Sequence, residues 1–275
     1  MKKVDLNNTI EHDRKRIISA STPFGVKEAY RALYTNVLYL PIEDTCKKIV
    51  VTSTFSGEGK TTLSINLAIT IANNSPESGV LLVDADLRSP RLTSLLGNGD
   101  KNVHGLSEYL VGIDETPNIY KTDYQNLSVL SSGASGVHSL GLLSSSKFKA
   151  LMDYCRDKYK YVIIDTPPVG IVADAALLSD KVDGYLIVTR SGVSDVNSLG
   201  ETMQTLDSVN ARIFGYVLTS YNAKGSSHYG RYGKTKYGKY GKYGKYGKYG
   251  KYSRYSRYSN YEASLRRYED LEEKK

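Results

Sequence analysis

Short runs of apolar residues recur between residues 48 and 219, separated by amphipathic stretches. These runs are predicted to be strands, and they cover residues 48–54, 79–84, 127–131, 161–165, 184–189 and 213–219. Most of them lack the alternation of polar and apolar positions that marks a strand with one wet face, so both faces of the sheet are expected to be covered. The pattern predicts an α/β fold with a doubly wound, mostly parallel sheet.

Helices are predicted between these strands, where apolar residues recur at spacings of three and four. They cover residues 26–40, 61–73, 91–96, 105–111 and 146–158, and the segments 173–178 and 196–209 continue the alternation of helix and strand. Residues 1–22 are polar and are predicted to be irregular up to the helix-start signal Ser21-Thr22-Pro23. One domain is therefore expected over residues 23–222, after a short N-terminal segment.

Residues 223–275 differ in composition and are predicted to form a separate, disordered tail. Tyrosine recurs there mostly at every third position, and 12 of the 24 tyrosines of the chain follow residue 228. Glycine, serine and charged residues make up most of the rest, which leaves too little apolar surface for a folded core. Residues 224–275 contain 15 Lys and Arg against 5 Asp and Glu, whereas residues 1–223 contain 22 against 24. The formal net charge of +8 therefore describes the tail and not the folded domain.

The two cysteines, Cys46 and Cys155, have neither a metal-binding spacing nor the pattern of a disulfide framework. Both are expected to be small apolar packing residues in a reducing compartment. The N-terminus lacks the apolar run of a signal peptide, and no apolar stretch approaches 18 residues. The sequence thus predicts a cytoplasmic protein that does not itself span a membrane.

The segment VTSTFSGEGKTTL, residues 51–63, predicts a strand, a glycine turn and a helix in that order. Gly57 and Gly59 permit backbone angles that let successive amides converge on phosphate oxygens at a helix start. Lys60 is predicted to reach the β- and γ-phosphates, and the Thr61 hydroxyl to ligate Mg²⁺. The predicted nucleotide-binding residues are Ser56, Gly57, Glu58, Gly59, Lys60, Thr61 and Thr62.

Acidic residues follow two of the predicted strands. Asp84 and Asp86 lie at the end of one, and Asp165 ends another. In doubly wound sheets ligands bind beyond the carboxyl ends of the strands, where these aspartates and the phosphate turn are expected to meet. A magnesium nucleotide requires hard oxygen ligands and a group that orients the attacking oxygen. The three aspartates predict a metal–nucleotide site.

The three segments together resemble the bacterial tyrosine kinases of capsule and exopolysaccharide systems, a branch of the deviant P-loop ATPases. STFSGEGKTT is similar to their Walker A motif, VLLVDADLRSP to Walker A′ and YVIIDTPP to Walker B. The resemblance implies ATP and Mg²⁺ as cofactors, with Lys60 on the phosphates and Thr61 on the metal. It also implies Asp84 and Asp86 as candidates for the catalytic base and the metal shell, and Asp165 as a metal-shell residue.

The same resemblance implies a C-terminal tyrosine cluster that the enzyme itself phosphorylates. The acceptors are expected to be Tyr237, Tyr240, Tyr243, Tyr246, Tyr249, Tyr252, Tyr255, Tyr258 and Tyr261. The implied partners are a membrane-anchored activator or chain-length regulator of polysaccharide export, a cognate tyrosine phosphatase, and protein substrates of polysaccharide synthesis. A homo-oligomeric ring, recruited to the inner face of the cell membrane through a partner, is also implied, without direct binding of nucleic acid.

Some positions depart from the family pattern. The ring-forming motif E-x-x-R-x-x-R is present as Glu28, Arg31 and then Tyr34. Glu28 and Arg31, the predicted interface residues, are spaced to pair on one helix or to face another subunit. Thr219 stands where the family has an asparagine associated with adenine, and Thr54 replaces the first glycine of the phosphate turn.

Two other functions are compatible with parts of the sequence. A partition-type ATPase could use the Lys- and Tyr-rich tail as an anchor on membranes or nucleic acid. Such ATPases carry a further lysine near the start of the turn, where this chain has Phe55. A non-enzymatic scaffold with a vestigial site is the second alternative, but Lys60, Thr61 and the three aspartates are all present. The kinase is the favoured hypothesis.

Overall fold

The computed structural model describes residues 6–96, 104–133 and 139–221. The helices are α1 Leu6–Arg14, α2 Phe24–Leu38, α3 Lys60–Asn74, α4 Leu92–Leu96, α5 Leu106–Val111, α6 Ser139–Leu143, α7 Ser146–Arg156 and α8 Val196–Asp207, with a 3-10 helix at Ala173–Leu178. The strands are β1 Lys47–Ser53, β2 Val80–Asp84, β3 Tyr120–Lys121, β4 Leu127–Leu130, β5 Tyr161–Asp165, β6 Gly184–Arg190 and β7 Ile213–Thr219. None of these described helices combines the length and the apolar character needed to cross a membrane.

The chain divides into two units, Met1–Thr219 and Ser220–Lys275. The first unit contains all the helices and strands given above. Of the second, only Ser220 and Tyr221 belong to the described residues. The predicted disorder of residues 223–275 and the nine predicted acceptor tyrosines lie outside the described residues.

The seven strands form one sheet in the order β3-β4-β2-β5-β1-β6-β7. Every pairing is parallel except that of β3 with β4. This sheet confirms the predicted doubly wound α/β fold. All six predicted strands are present, and β3 was not predicted because two residues are too few to produce a hydrophobic pattern.

Helices cover both faces of the sheet, so alternate residues of β1 belong to different layers. Ile49 and Val51 pack with α2 and α3, while Val50 packs in the opposite layer with α7 and α8. Eleven of the 15 residues of α3 are buried, which makes it the most enclosed helix of the layer that contains α2 and α3. The two-sided cover explains why the strands have continuous apolar sequences.

The prediction that residues 1–22 are irregular is wrong, because they contain helix α1. The side chain of Asp13 forms an ion pair with Arg91, at 2.9 Å. Arg14 donates from Nε to the backbone oxygen of Ser94 in α4, at 2.8 Å. These contacts join residues about 80 positions apart, so the polar local sequence gave no sign of them.

The segment that follows α1 is attached to the domain through Asn66 of α3. This buried side chain accepts a hydrogen bond from the backbone N–H of Ile18 at 2.8 Å and donates to the carbonyl of Arg16 at 2.9 Å and to the Tyr30 hydroxyl at 3.1 Å. Ile17 is buried in the same layer as α3. The N-terminal segment is therefore part of the packed structure.

Both cysteines are buried in the layer that contains α7, as predicted. Cys46 precedes β1 and Cys155 lies in the last turn of α7. Burial raises the pKa of the Cys46 thiol to about 11 and that of Cys155 to about 12. At neutral pH both groups are therefore protonated packing residues.

Candidate active site

The predicted glycine turn connects the carboxyl end of β1 to the first residue of α3. Gly57 and Gly59 have φ angles of +82° and +100°, which residues with a side chain rarely adopt. Gly59 caps α3, so the helix starts at Lys60 with unpaired amides at its N-terminus. Lys60 is buried, with 7% of its surface exposed. The free amides and the helix dipole at this N-terminus are suited to an anion.

The register of the central strands brings two aspartates to this turn. β5 lies between β2 and β1, and Asp165 is paired across the sheet with Asp84 on one side and with Val51 on the other. Neighbouring strands are separated by about 4.8 Å, so Asp84 and Asp165 emerge side by side at the carboxyl edge. The predicted meeting of strand ends and phosphate turn is thus present.

Asp165 is fixed to the first turns of α3. Its Oδ1 accepts a hydrogen bond from the Ser64 hydroxyl at 3.1 Å, and the Thr61 side chain also bonds to this carboxylate. Burial raises the pKa of Asp165 to about 6, although the charge of Lys60 and the bond from Thr61 oppose the shift. The carboxylate is therefore positioned beside two of the predicted nucleotide-binding residues.

Asp84 is completely enclosed and accepts one backbone N–H on each oxygen. The donors are Asp86, at 3.2 Å from Oδ1, and Leu92, at 3.2 Å from Oδ2. Burial is the main reason why the pKa of Asp84 is well above its usual value, and the charges of Asp165 and Asp86 raise it further. These bonds fix Asp84 at the floor of the site.

Asp86 is less enclosed than Asp84 and lies within the field of Lys60. It retains 7% of its surface exposed, and its Oδ1 accepts a hydrogen bond from the backbone N–H of Ser89 at 3.0 Å. Burial raises its pKa, and the positive charge of Lys60 opposes that shift. The three predicted aspartates thus occupy one region and influence one another's protonation.

An ion pair that the sequence did not predict lies beside Asp86. Arg88 Nε is 2.9 Å from Oδ2 of Asp174, which belongs to the 3-10 helix and is fully buried. The negative charge of Asp174 contributes to the raised pKa of Asp86. Arg88 lies two residues after Asp86 and was within reach of sequence analysis, but Asp174 is 86 positions away and has no signal of its own.

The remaining predicted residues of the phosphate turn differ in their surroundings. Gly57 is exposed, whereas Ser56, Thr61 and Thr62 are half-buried. Glu58 is fully buried, and its carboxylate accepts hydrogen bonds from the backbone N–H groups of Phe55 and Arg190 and from the Ser194 hydroxyl. Its side chain is therefore occupied by protein groups, and only its backbone is available to a phosphate.

The two substituted positions also have structural partners. Thr219 donates its hydroxyl to the carbonyl of Glu58 at 2.7 Å. Thr54 accepts a hydrogen bond from Thr202 of α8 at 3.0 Å, and a Cβ added to Gly170 would lie 2.4 Å from the Thr54 carbonyl oxygen. Both threonines connect the phosphate turn to neighbouring elements.

The donor set fits a magnesium ion that is shared with phosphate. In the part of the chain that the structure describes, no three Asp, Glu, His or Cys side chains converge on one metal position. Mg²⁺ in phosphoryl-transfer sites keeps several waters and takes only one or two protein ligands besides phosphate oxygens. The Thr61 hydroxyl and the neighbouring aspartates provide oxygen ligands of that kind.

The predicted interface residues lie on α2. Glu28 and Arg31 form an ion pair with each other at 2.5 Å, and about half of each side chain is exposed. Tyr34 packs against the layer of α3 and lies close enough to Tyr161 to affect its pKa, so it occupies an inward position. The side chain that replaces the second arginine is thus used in packing.

Comparison with known proteins finds similar sequences and structures. Residues 46–215 match the AAA domain family. Over 193 residues, 70% of this chain and 83% of the relative, the sequence is 36% identical to the tyrosine-protein kinase CpsD of Streptococcus pneumoniae. The solved kinase domain of the Escherichia coli tyrosine kinase ETK is 31% identical, with a TM-score of 0.67, covering 78% of this chain and 80% of that structure.

A cell division ATPase has a related fold with a smaller shared region. MinD of Pyrococcus furiosus is 30% identical, with a TM-score of 0.52, covering 62% of this chain and 71% of that structure. The kinase domain matches more of this chain at a higher TM-score. The comparison therefore does not favour the partition-type alternative.

Proposed function

This chain belongs to the bacterial tyrosine-protein kinases, and from that membership we propose that it transfers the γ-phosphoryl group of ATP to tyrosine hydroxyls. Its own C-terminal tyrosines are the first acceptors, modified between subunits, and the activity regulates capsular or exopolysaccharide synthesis and export. One observation carries the proposal. Asp84 and Asp165 are register partners on adjacent strands, beside the turn that begins α3 with Lys60.

Phosphoryl transfer depends mostly on positioning and on neutralising charge, because its transition state is loose. In the proposed mechanism the amides at the start of α3 and the Lys60 ammonium bind the phosphates. Thr61, together with Asp84 and Asp165, would hold Mg²⁺, which would supply positive charge against the phosphates. Ser64 keeps Asp165 in place through its hydroxyl.

The acceptor proton is proposed to pass to Asp86. A tyrosine hydroxyl has a pKa of about 10, and in a loose transition state the proton needs to leave only late in the step. Asp84 is fully enclosed, whereas Asp86 retains some exposure, so a phenol approaching from solvent meets Asp86 first. Burial raises the pKa of Asp86, which makes its carboxylate a better proton acceptor.

The partners remain proposals that rest mainly on family membership. We propose a membrane-anchored activator that recruits the protein to the inner face of the membrane, a cognate tyrosine phosphatase and substrates in polysaccharide synthesis. Exposed aromatic side chains at the two ends of α2 give additional support for a homo-oligomeric ring. Phe24, at one end of the helix, and Tyr39, which caps the other end, are exposed over 75% and 77% of their surfaces, on the helix that carries Glu28 and Arg31.

Intact-mass measurement tests the proposed activity directly. The purified protein is incubated with Mg-ATP, alone and with the cytoplasmic segment of its activator, beside Lys60→Met and a version that ends at Ala223. We expect additions of phosphate that require Lys60 and disappear with the tail. Release of free phosphate without any gain in mass, even with the activator present, would instead indicate an ATPase.

A further inference from the structure

Glu58 places a carboxylate within a turn that is proposed to bind a polyphosphate. A negative charge three residues before Thr61 should weaken binding of an anion, unless other groups neutralise it. The structure gives this carboxylate three donors: Oε2 accepts from the Phe55 N–H at 2.7 Å, and Oε1 accepts from the Arg190 N–H at 3.2 Å and from the Ser194 hydroxyl. We call these three contacts the Glu58 bridge.

The Glu58 bridge joins parts of the chain that are more than 130 positions apart. Phe55 belongs to the phosphate turn, while Arg190 ends β6 and Ser194 precedes α8. Two further contacts reinforce the connection. Arg190 Nη1 donates to the carbonyl of Gly57 at 3.2 Å, and Thr219 at the end of β7 donates to the carbonyl of Glu58 at 2.7 Å.

These contacts fix the position of the phosphate turn relative to the sheet. β1 leads into the turn; β5 and β2, which carry the aspartates, lie on one side of β1, and β6 and β7 lie on the other side. The amides of residues 57–59 can converge on a phosphate only if the turn keeps one position relative to the sheet. The strands that carry no aspartate thus determine where the phosphate-binding amides point.

We propose that Glu58 is a positioning residue whose carboxylate holds the phosphate turn against the β6–α8 segment, so that Mg-nucleotide affinity depends on the Glu58 bridge without contact between Glu58 and the nucleotide. The inference rests on the nucleotide site proposed above. It assigns to the Glu58 side chain a role different from direct binding. It also assigns a role to Ser194.

Substitutions that remove particular hydrogen bonds of the Glu58 bridge test its role. In Glu58→Gln one oxygen still accepts from Phe55, but the new NH₂ group faces the Arg190 N–H, so two donors oppose each other. Ser194→Ala removes one donor and leaves the other two contacts. Glu201→Gln is the matched control, because it makes the same chemical change at an exposed glutamate of α8.

Titration calorimetry with ADP, and separately with inorganic pyrophosphate, in the presence of Mg²⁺ measures the effect on the intact chain. Loss of a charge-assisted hydrogen bond predicts about tenfold weaker binding of both ligands by Glu58→Gln. Ser194→Ala is expected to weaken binding about threefold, since one contact of three is lost. Glu201→Gln should bind as the wild type does.

The outcomes separate this inference from the proposed function. Wild-type protein that binds neither ligand would contradict the nucleotide site itself. Wild-type binding with unchanged affinity in Glu58→Gln would overturn the role of the bridge. Weak binding by Glu58→Gln with full affinity in Ser194→Ala would overturn the role assigned to Ser194. If Glu58→Gln does not fold, the Ser194→Ala affinity decides alone.

Kinetics distinguishes positioning from a general loss of structure. Since the three aspartates are not altered, Glu58→Gln should raise the KM for ATP about tenfold and leave kcat within about twofold of the wild type. The assay temperature is kept well below the unfolding temperature of each variant. A fall in kcat with an unchanged KM would contradict the proposed role.

Discussion

At the residue scale, the carboxylates that are proposed to serve the chemistry of the site also reduce the stability of the nucleotide-free domain. Asp84 and Asp165 are fully buried, and Asp86 nearly so, within one region of like charge. Lys60 is the positive group that opposes the pKa shifts of Asp86 and Asp165. A site arranged in this way favours a bound cation and a protonated carboxylate over an empty, fully ionised state.

Replacing Asp165 tests whether the buried carboxylates lower the stability of the nucleotide-free protein. Its folded-state pKa of about 6 exceeds the ordinary value of 3.8, so the folded state binds the proton more tightly than the unfolded state does. The stability contributed by the protonated group is fully present below pH 3.8 and is lost as the pH rises through 6. We expect Asp165→Asn to raise the free energy of unfolding of the nucleotide-free protein by about 1–3 kcal/mol at neutral pH, and to abolish phosphorylation.

Urea unfolding at pH 7.5 and at pH 4.5 provides the measurement, and the gain should be smaller at the lower pH. Asp123→Asn is the control, because that aspartate is exposed. A variant that is less stable than the wild type at pH 7.5 would contradict the explanation.

Individual residues of the site were predictable to different degrees. Lys60, Thr61 and the three aspartates lie together as expected, because backbone position and residue type alone fix their location in a parallel sheet. Glu58 was expected among the nucleotide-binding residues, but the hydrogen bonds of its side chain were not foreseen, since its partners Arg190 and Ser194 are remote in sequence.

At the element scale, α3 has two structural roles. Its N-terminus carries the proposed anion site, and its middle holds the N-terminal segment through Asn66. Both roles depend on burial of the helix on nearly all sides. The strands and most helices could be predicted because each carries its own hydrophobic pattern, whereas α1 depends on contacts with α4 that no local pattern contains.

Asn66→Ala should detach the segment that follows α1. The substitution leaves the partly buried N–H of Ile18 and the carbonyl of Arg16 without their partner, which costs about 1–3 kcal/mol of unfolding free energy. Denaturant unfolding measures this loss, and faster proteolysis near residues 15–22 should accompany it. Asn73→Ala, at an exposed position of the same helix, is the control. Equal stability of the two variants would argue against a role for Asn66 in holding the N-terminal segment.

At the scale of the whole molecule, the order of the strands assembles the site. Segments that begin near residues 47, 80 and 161 become neighbours in the sheet, with the last of them between the other two. Sequence patterns predict that strand ends meet at one edge, but the strand order that pairs Asp84 with Asp165 follows from long-range packing. The residue pairs missed by sequence analysis, such as Arg88 and Asp174, are of this long-range kind.

The charge of the tail leads to a prediction for the proposed ring. Residues 224–275 contain 15 basic and 5 acidic residues, and each phosphotyrosine adds about −1.5 to −2 charges. Five or six modifications would therefore cancel the positive charge, and about twelve would make the tail strongly acidic. We expect the assembly to loosen as the sign changes, which light scattering on dephosphorylated and fully phosphorylated protein would detect. The version ending at Ala223 should keep its mass after ATP treatment, and an unchanged mass of the full-length protein would refute the idea.

The two buried cysteines make this protein well suited to site-specific labelling. Their pKa values of about 11 and 12 leave almost no thiolate at neutral pH, and neither sulfur is accessible to a maleimide. They are the only cysteines in the sequence, so a single cysteine introduced into the tail would be the fast-reacting thiol. A fluorophore attached there would report tail movement during catalysis, with both native cysteines left in place.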